Sequence, residues 1–199
     1  MKIYDISQEV LNCVVFPGDP APYGEQIKRM DDGELYNLSM IHMCAHNGTH
    51  VDAPYHFINR GRTIDAIEPE RFIGMAYVAE HEGIVTAQDA RDILAKATKA
   101  DAEACKRILV KGNAIVSLEA AEIFAGEGIL LIGNESQTVG PEEAPMAVHK
   151  VLLGANVVLL EGIRLANVPE GSYLLSAAPL NFLGADGAPC RAVLIALEQ

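Results

Sequence analysis

The chain has 199 residues, half of them hydrophobic, and its 27 acidic against 15 basic side chains give a formal net charge of −12. That length suffices for one sizeable core, and a single domain over residues 1–199 is expected. The acidic surplus speaks against nucleic acid, whose phosphates need a basic face, and against anionic lipid surfaces.

No apolar run approaches the roughly 20 residues that cross a bilayer, so no membrane partner is expected. The opening residues read as a strand over Lys2–Ile6 and not as a leader, because Asp5, Gln8 and Glu9 break up any apolar stretch. Phe16-Pro17-Gly18-Asp19-Pro20-Ala21-Pro22 is a loop, since three prolines remove donors and Gly18 invites a turn. Short strands fit near Tyr36–His42 and at Met75–Ala79. Thr86 caps a helix running to about Ala97. Arg107–Val110 reads as a short strand whose Lys/Arg flanks suggest a sheet edge. Ser117 opens a helix over Leu118–Phe124 that stops at Gly126, and the apolar run Gly128–Ile132 predicts a buried strand. A third helix runs from about Pro145 to Gly154, the latter as a left-handed terminator. Strands follow at Val157–Leu160, Tyr173–Ala177 and Ala192–Leu197, the last two joined by a loop with Asp186-Gly187 as a turn. Helices alternating with apolar strands predict a mixed α+β (α/β) architecture, a mixed sheet covered by helices. Cys13, Cys44, Cys105 and Cys190 have no C-x-x-C spacing, so free thiols and a cytoplasmic location are expected.

Three of the six histidines fall within the eleven residues His46–His56. His46, His50, Asp52 and His56 share one parity, so an extended segment would place all four on one face. Gly48 has the same parity and would leave room for an ion between His46 and His50. Imidazole nitrogens and a carboxylate are the donors that Zn²⁺ or Mn²⁺ prefers. A lone histidine such as His42 or His81 is ordinarily a surface or satisfied core residue. Turn chemistry would account for Asp52-Ala53-Pro54 but leaves three histidines unexplained.

The pattern H-x-G-T-H-x-D-x-P-x-H, met by His46, Gly48, Thr49, His50, Asp52, Pro54 and His56, resembles the signature of the cyclase-type metal-dependent hydrolases. That family includes bacterial kynurenine formamidases and isatin hydrolases. Asp5-Ile6-Ser7, Phe16-Pro17-Gly18-Asp19, Val148-His149-Lys150, Leu160-Glu161-Gly162 and Asp186-Gly187-Ala188-Pro189 resemble its other regions, so the likeness covers nearly the whole chain. The resemblance implies a swivelling β/β/α-like fold. It also implies one or two Zn²⁺ or Mn²⁺ ions held by His46, His50, Asp52, His149 and Glu161. From its own surroundings His149 reads as an ordinary helix residue. Glu161, a charge at the end of an apolar strand, is costly there unless paired or metal-bound. His56 is implied as proton donor and acceptor beside the metals, with the option of touching the second ion.

The implied reaction is attack of metal-activated water on an amide carbonyl, with N-formyl-L-kynurenine cleaved to formate and kynurenine. A cyclic amide such as isatin, or a lactone, is the alternative substrate, with hydrolysis or cyclisation as the reaction. A metal-binding module without turnover fits less well, since structural zinc sites favour thiolates. Isatin hydrolases carry Gln where this chain has Glu161, which favours the two-metal formamidase. Phe16 stands where formamidases place a Trp against the substrate ring, and this chain has no Trp; Phe still offers a stacking face. Gly133–Gly140 carries polar groups after a buried strand, with no role assigned by sequence. A homodimer or larger even-numbered oligomer is implied by the resemblance. The apolar Cys13-Val14-Val15-Phe16 run would also be poorly covered on a monomer.

Overall fold

Continuous apolar runs suit strands that are buried on both faces. In the computed structural model, described for residues 1–197, such runs lie side by side in one sheet. In chain order the strands are β1 (Lys2–Asp5), β2 (Tyr23–Lys28), β3 (Leu38–His42), β4 (His50–Asp52), β5 (Ile73–Glu80) and β6 (Gly83–Val85). Helix α1 (Ala87–Ala100) leads to β7 (Arg107–Lys111) and β8 (Ala114–Val116), then α2 (Leu118–Gly126), β9 (Leu131–Asn134) and α3 (Met146–Gly154). The chain continues through β10 (Val158–Glu161), β11 (Gly171–Ser176), β12 (Gly187–Pro189) and β13 (Val193–Ala196). The main sheet has the order β1-β13-β11-β5-β7-β9-β10-β4-β12. Its four central strands, β5, β7, β9 and β10, are mutually parallel, and the flanking strands pair antiparallel.

Alternation along each central strand feeds two cores. Ile108, Val110, Ile132 and Leu159 pack under the three helices with Ile93, Phe124 and Leu152. Leu109, Leu131, Val158 and Leu160 face the other way, against Ile6, Val51, Ile64, Phe72 and Leu194. The helix starts follow their local signals. Thr86 and Asp89 form a reciprocal capping box on α1, and Ser117 Oγ accepts the Ala120 N–H at 3.1 Å on α2. Among the described residues no helix is long and apolar enough to cross a membrane. All four cysteines are free.

Several expectations are corrected. β7 is central and not an edge: Arg107 is buried because its guanidinium donates to the carbonyls of Arg71, Met75 and Glu70. Its basic flank thus secures neighbouring backbone where solvent was expected. The buried strand β9 begins only at Leu131, because Gly128 (φ +68) is spent on the turn that ends α2. After α3 the left-handed residue is Asn156 (φ 60) and not Gly154. β2 was unforeseen; it pairs with β3 in a separate two-stranded ribbon exposed along nearly its whole length. β11 and β13 do pair antiparallel. Between them, however, Asp186-Gly187 is no hairpin turn: Gly187 starts β12, which adds to the far edge of the sheet beside β4.

Candidate metal centre

His50 and Asp52 are alternate residues of β4 and share a face, while Val51 between them enters the opposite core. The shared-face expectation holds for this pair alone. His46 is delivered by a turn in which the Asn47 side chain accepts the Cys44 N–H (3.0 Å), and Gly48, at φ +70, swings the chain into the strand. A side chain at Gly48 would meet Val10 and Cys13, so its place is explained by backbone conformation and not by room for an ion. His56 arrives on a single 3₁₀ turn, Pro54–His56, opened by Pro54. β4 lies between β10 and β12, and this register sets Glu161 opposite His50 and Gly187 opposite Asp52. α3 contributes His149 from the layer above.

Asp52 is the hub. Its Oδ1 lies 2.8 Å from His46 Nδ1 and 3.4 Å from His50 Nε2, and its Oδ2 lies 3.6 Å from His149 Nε2. Glu161 Oε1 accepts the Val139 N–H at 2.8 Å and stands 3.2 Å from His149 Nε2, and its Oε2 is 3.5 Å from His50 Nε2. Backbone carbonyls set the tautomers. Gly48 O lies 3.0 Å from His50 Nδ1 and Pro145 O lies 2.9 Å from His149 Nδ1, and a carbonyl can only accept. Both Nδ1 atoms therefore carry protons, and both Nε2 atoms are left facing carboxylate oxygens. Asp52 Oδ2 is buried with no hydrogen-bond partner.

Such a cluster demands positive charge. Burial works to lower the His46 pKa, but the Asp52 and Asp186 carboxylates outweigh it and push it up to about 11. Burial of His50 is outweighed in the same way by Asp52 and Glu161, raising it to about 9. Burial also opposes the His149 shift, yet Glu161 and Asp52 carry it upward. Burial tends to raise Asp52, and His46 and His50 hold it well below the usual carboxylate range. Burial and Asp52 would both raise Glu161, but His149 and His50 bring it below its ordinary value. Pinned Nε2 atoms, paired buried carboxylates and an orphaned oxygen fit a divalent cation. Three groups of donors lie within 4.8 Å of one another: His46, His50 and Asp52; Asp52, His149 and Glu161; and, nearer the mouth, His46, His56 and Asp186. The structure thus brings together all five sequence-predicted ligand residues in the first two groups, with Asp52 common to those two.

Asp186 is the site residue that sequence reasoning missed. Its Oδ2 lies 3.0 Å from His46 Nε2 and 3.3 Å from His56 Nδ1, and these two contacts hold its own carboxyl far below the ordinary range. The Asp-Gly dipeptide reads as turn chemistry, yet Gly is needed here for close approach. A Cβ on Gly187 would come within 2.7 Å of Val51 O and 2.8 Å of His46 Cε1. His56 is held at the mouth, its ring stacked on His46 at 4.1 Å and its Nε2 4.0 Å from Asp52 Oδ2. A cavity of about 200 Å³ opens over these groups. Half-buried Phe16 lines it together with Phe57, Gln137 and Thr138.

The sequence profile of the Cyclase family matches residues 4–141, which include His46–His56 and end before His149 and Glu161. Two curated relatives, both named kynurenine formamidase, are 32% identical to this chain. The one from Erythrobacter litoralis aligns over 97% of this chain and 93% of its own length. The one from Salinibacter ruber aligns over 98% and 97%. A solved structure described as a potential metal-dependent hydrolase with cyclase activity superposes with a TM-score of 0.82 at 27% identity, covering 100% of this chain and 99% of that one. Isatin hydrolase A from Labrenzia aggregata superposes with a TM-score of 0.82 at 22% identity, covering 99% and 94%, a likeness of fold alone. Matched over most of its length by the family profile and nearly end to end by the formamidase relatives, the chain belongs to the cyclase family.

Proposed function

We propose that the protein is a metal-dependent aryl-formamidase that cleaves N-formyl-L-kynurenine, or a close aryl-formamide, to formate and the free aniline. The observation that carries this reading is the pinned pair of Nε2 atoms on His50 and His149, both facing the Asp52 and Glu161 carboxylates. The formamidase relatives supply the substrate class. In this reading His46, His50 and Asp52 hold one Zn²⁺ or Mn²⁺, and Asp52, His149 and Glu161 hold a second. A divalent ion bound there supplies Lewis-acid chemistry, polarising a carbonyl and lowering the pKa of water from 15.7 toward about 7.

The chain's own residues do the rest. Asp186 accepts from His56 Nδ1, which turns Nε2 toward the cavity, where it takes a proton and returns it to the leaving aniline nitrogen. Asp186 also takes the outward N–H of His46, fixing that ring's orientation as a carboxylate behind a ligating histidine does. Phe16 and Phe57 form apolar walls for the aryl ring. With its four thiols free, the protein suits a reducing compartment, and the cytoplasm is its proposed location. A small-molecule amide is the proposed partner, and the acidic balance speaks against nucleic acid and anionic membrane surfaces.

The decisive experiment joins elemental analysis of metal-supplemented protein to a screen of formanilides, isatin and simple lactones. The expected result is one to two Zn²⁺ or Mn²⁺ ions per chain, with formanilides turned over fastest. Absence of bound transition metal, or turnover of lactones alone, would refute the reading.

A homodimer or larger even-numbered assembly is proposed as well. A two-stranded ribbon is marginal in water by itself. Here the β2–β3 ribbon exposes Tyr23, Ile27, Leu38, Met40 and Ile41, beside a cavity of about 810 Å³ with Val10, Leu11, Met43 and Leu180 in its wall. Light scattering at micromolar concentration should give an even multiple of 21.4 kDa, and a mass of 21.4 kDa itself would overturn the proposal.

A further inference from the structure

The two aromatic walls of the cavity over the histidines are held in different ways. Phe57 closes the 3₁₀ turn that delivers His56, and its ring packs at 4.5 Å from the His56 ring and 4.6 Å from the His149 ring. It is fixed by the metal centre itself. Phe16 comes from a loop with few means of attachment. Pro17, Pro20 and Pro22 have no backbone N–H to donate, and residues 17–21 are exposed. One bond closes a turn inside the loop, from the Asp19 N–H to Phe16 O (3.1 Å). Among the described residues, one hydrogen bond alone ties residues 15–21 to another segment: Asn47 Nδ2 donates to Pro20 O at 3.2 Å.

Asn47 is fully buried, and its side chain is engaged at both ends. Its Oδ1 accepts the Cys44 N–H (3.0 Å), and its own backbone N–H donates to Cys44 O (3.3 Å), which closes the turn that presents His46. The amide can sit only one way round, because a backbone N–H only donates and the Pro20 carbonyl only accepts. A buried amide satisfied by backbone at each end is ordinarily a staple of the fold. What sets this one apart is the load on its two ends. One end holds a histidine of the donor cluster, and the other holds the loop of an aromatic wall.

Resting on the aryl-formamidase reading, we propose that Asn47 is a positioning residue for substrate, holding Phe16 at a fixed spacing from the metal centre so that the aryl ring of the substrate fits between Phe16 and Phe57. Asn47 touches neither substrate nor metal in this role. It acts through Phe16, by suspending a proline-rich loop from the turn that carries His46. Without the Pro20 bond the loop keeps its internal turn and loses its anchor, so the Phe16 wall moves away while Phe57 stays in place. Binding of an aryl substrate is then what weakens, and the chemistry at the histidines and carboxylates continues.

The test pairs kinetics with a reporter that needs no turnover. Metal-loaded wild type, Asn47→Ala, Phe16→Ala and the double variant are assayed on formanilide, with metal content measured on each. Asn47→Ala should raise KM roughly five- to tenfold, as for a lost aromatic contact, with kcat within about twofold of wild type and the metal retained. Phe16→Ala should do the same, and the double variant should add less than about twofold to either, since both act on one contact. The chain has no Trp, so Phe16→Trp supplies a single fluorophore in the loop. Acrylamide should quench it about twofold more strongly once Asn47→Ala is added. Asn47→Asp, which keeps an acceptor for the Cys44 N–H, gives the same readings at pH 8 should the alanine variant not fold. Additive effects on KM, unchanged quenching, or loss of metal and kcat with KM unmoved would each overturn the positioning role. Wild type that does not cleave formanilide would overturn the aryl-formamidase reading, and the quenching result stands apart from that outcome.

Discussion

Asp52→Ala is expected to lose both metal ions and hydrolysis together, with turnover falling more than about a thousandfold. Losing a hydrogen-bond partner behind a ligand already costs roughly 10- to 100-fold, and Asp52 is common to the two donor groups proposed to hold the ions. Metal analysis and steady-state kinetics on one preparation check this; a variant that keeps its metal or a tenth of its turnover contradicts the shared role. The same substitution should flatten the pH dependence of the metal-free protein. His46 and His50 have folded pKa values raised to about 11 and about 9, above an unfolded value near 6.5. Their stabilisation is thus complete below about pH 6.5 and is lost as pH rises through about 9 and then about 11. Asp52, lowered in the fold, contributes above its unfolded value of about 3.9 and loses that contribution in acid. Chelator-treated wild type should therefore melt progressively lower from pH 7 to pH 10, and Asp52→Ala should show a shallower slope. Equal slopes would mean that the carboxylate does not hold those protons.

Glu161→Gln has the second large effect expected, and it decides between substrates. The carboxylate meets His149 through one oxygen and His50 through the other, and it also accepts the Val139 N–H. A carboxamide keeps the shape but gives up the negative charge and one acceptor. The second ion should be lost, with formamidase turnover reduced by about a hundredfold or more, while the first ion stays on His46, His50 and Asp52. Wild type should prefer N-formylkynurenine to isatin, and the substitution should erode that preference. Retained metal stoichiometry with unchanged formamidase turnover, or isatin as the better wild-type substrate, would defeat this assignment.

The sequence made legible what local chemistry decides. Thr86 with Asp89, and Ser117, announce their helices because a cap acts within three residues. His50 and Asp52 converge because alternation is intrinsic to any strand. The other predicted donors also lie close by, but strand parity is not what brings them there. Gly48 and Pro54 break the extended path, so His46 and His56 reach the cavity through turns. Asp186 stayed hidden because it acts across 130 residues from His56, and nothing in an Asp-Gly pair distinguishes a turn from a close pass against a ring. The centrality of β7 was equally non-local: Arg107 looks like an exposed flank until the carbonyls it binds, 32 to 37 residues away, are in view.

Strand β4 is three residues long, and its neighbours β10 and β12 come from more than a hundred residues downstream. In the unfolded chain the donors at 46–52, 149–161 and 186 are scattered, so the full donor set comes together only when those distant strands dock. Contacts so far apart in sequence close loops at an entropic cost and form slowly. A metal held by these donors would bind the finished fold more tightly than the open chain and so shift the folding equilibrium by mass action, by up to about 4 kcal/mol when free ion stands at a thousand times its dissociation constant. That is a sizeable share of the roughly 5–15 kcal/mol that holds a typical domain together. A cell short of metal would hold molecules that unfold more often, and proteases would clear them faster. On the proposed metal-dependent reading, metal supply would thus bear on the abundance of the protein as well as on its activity.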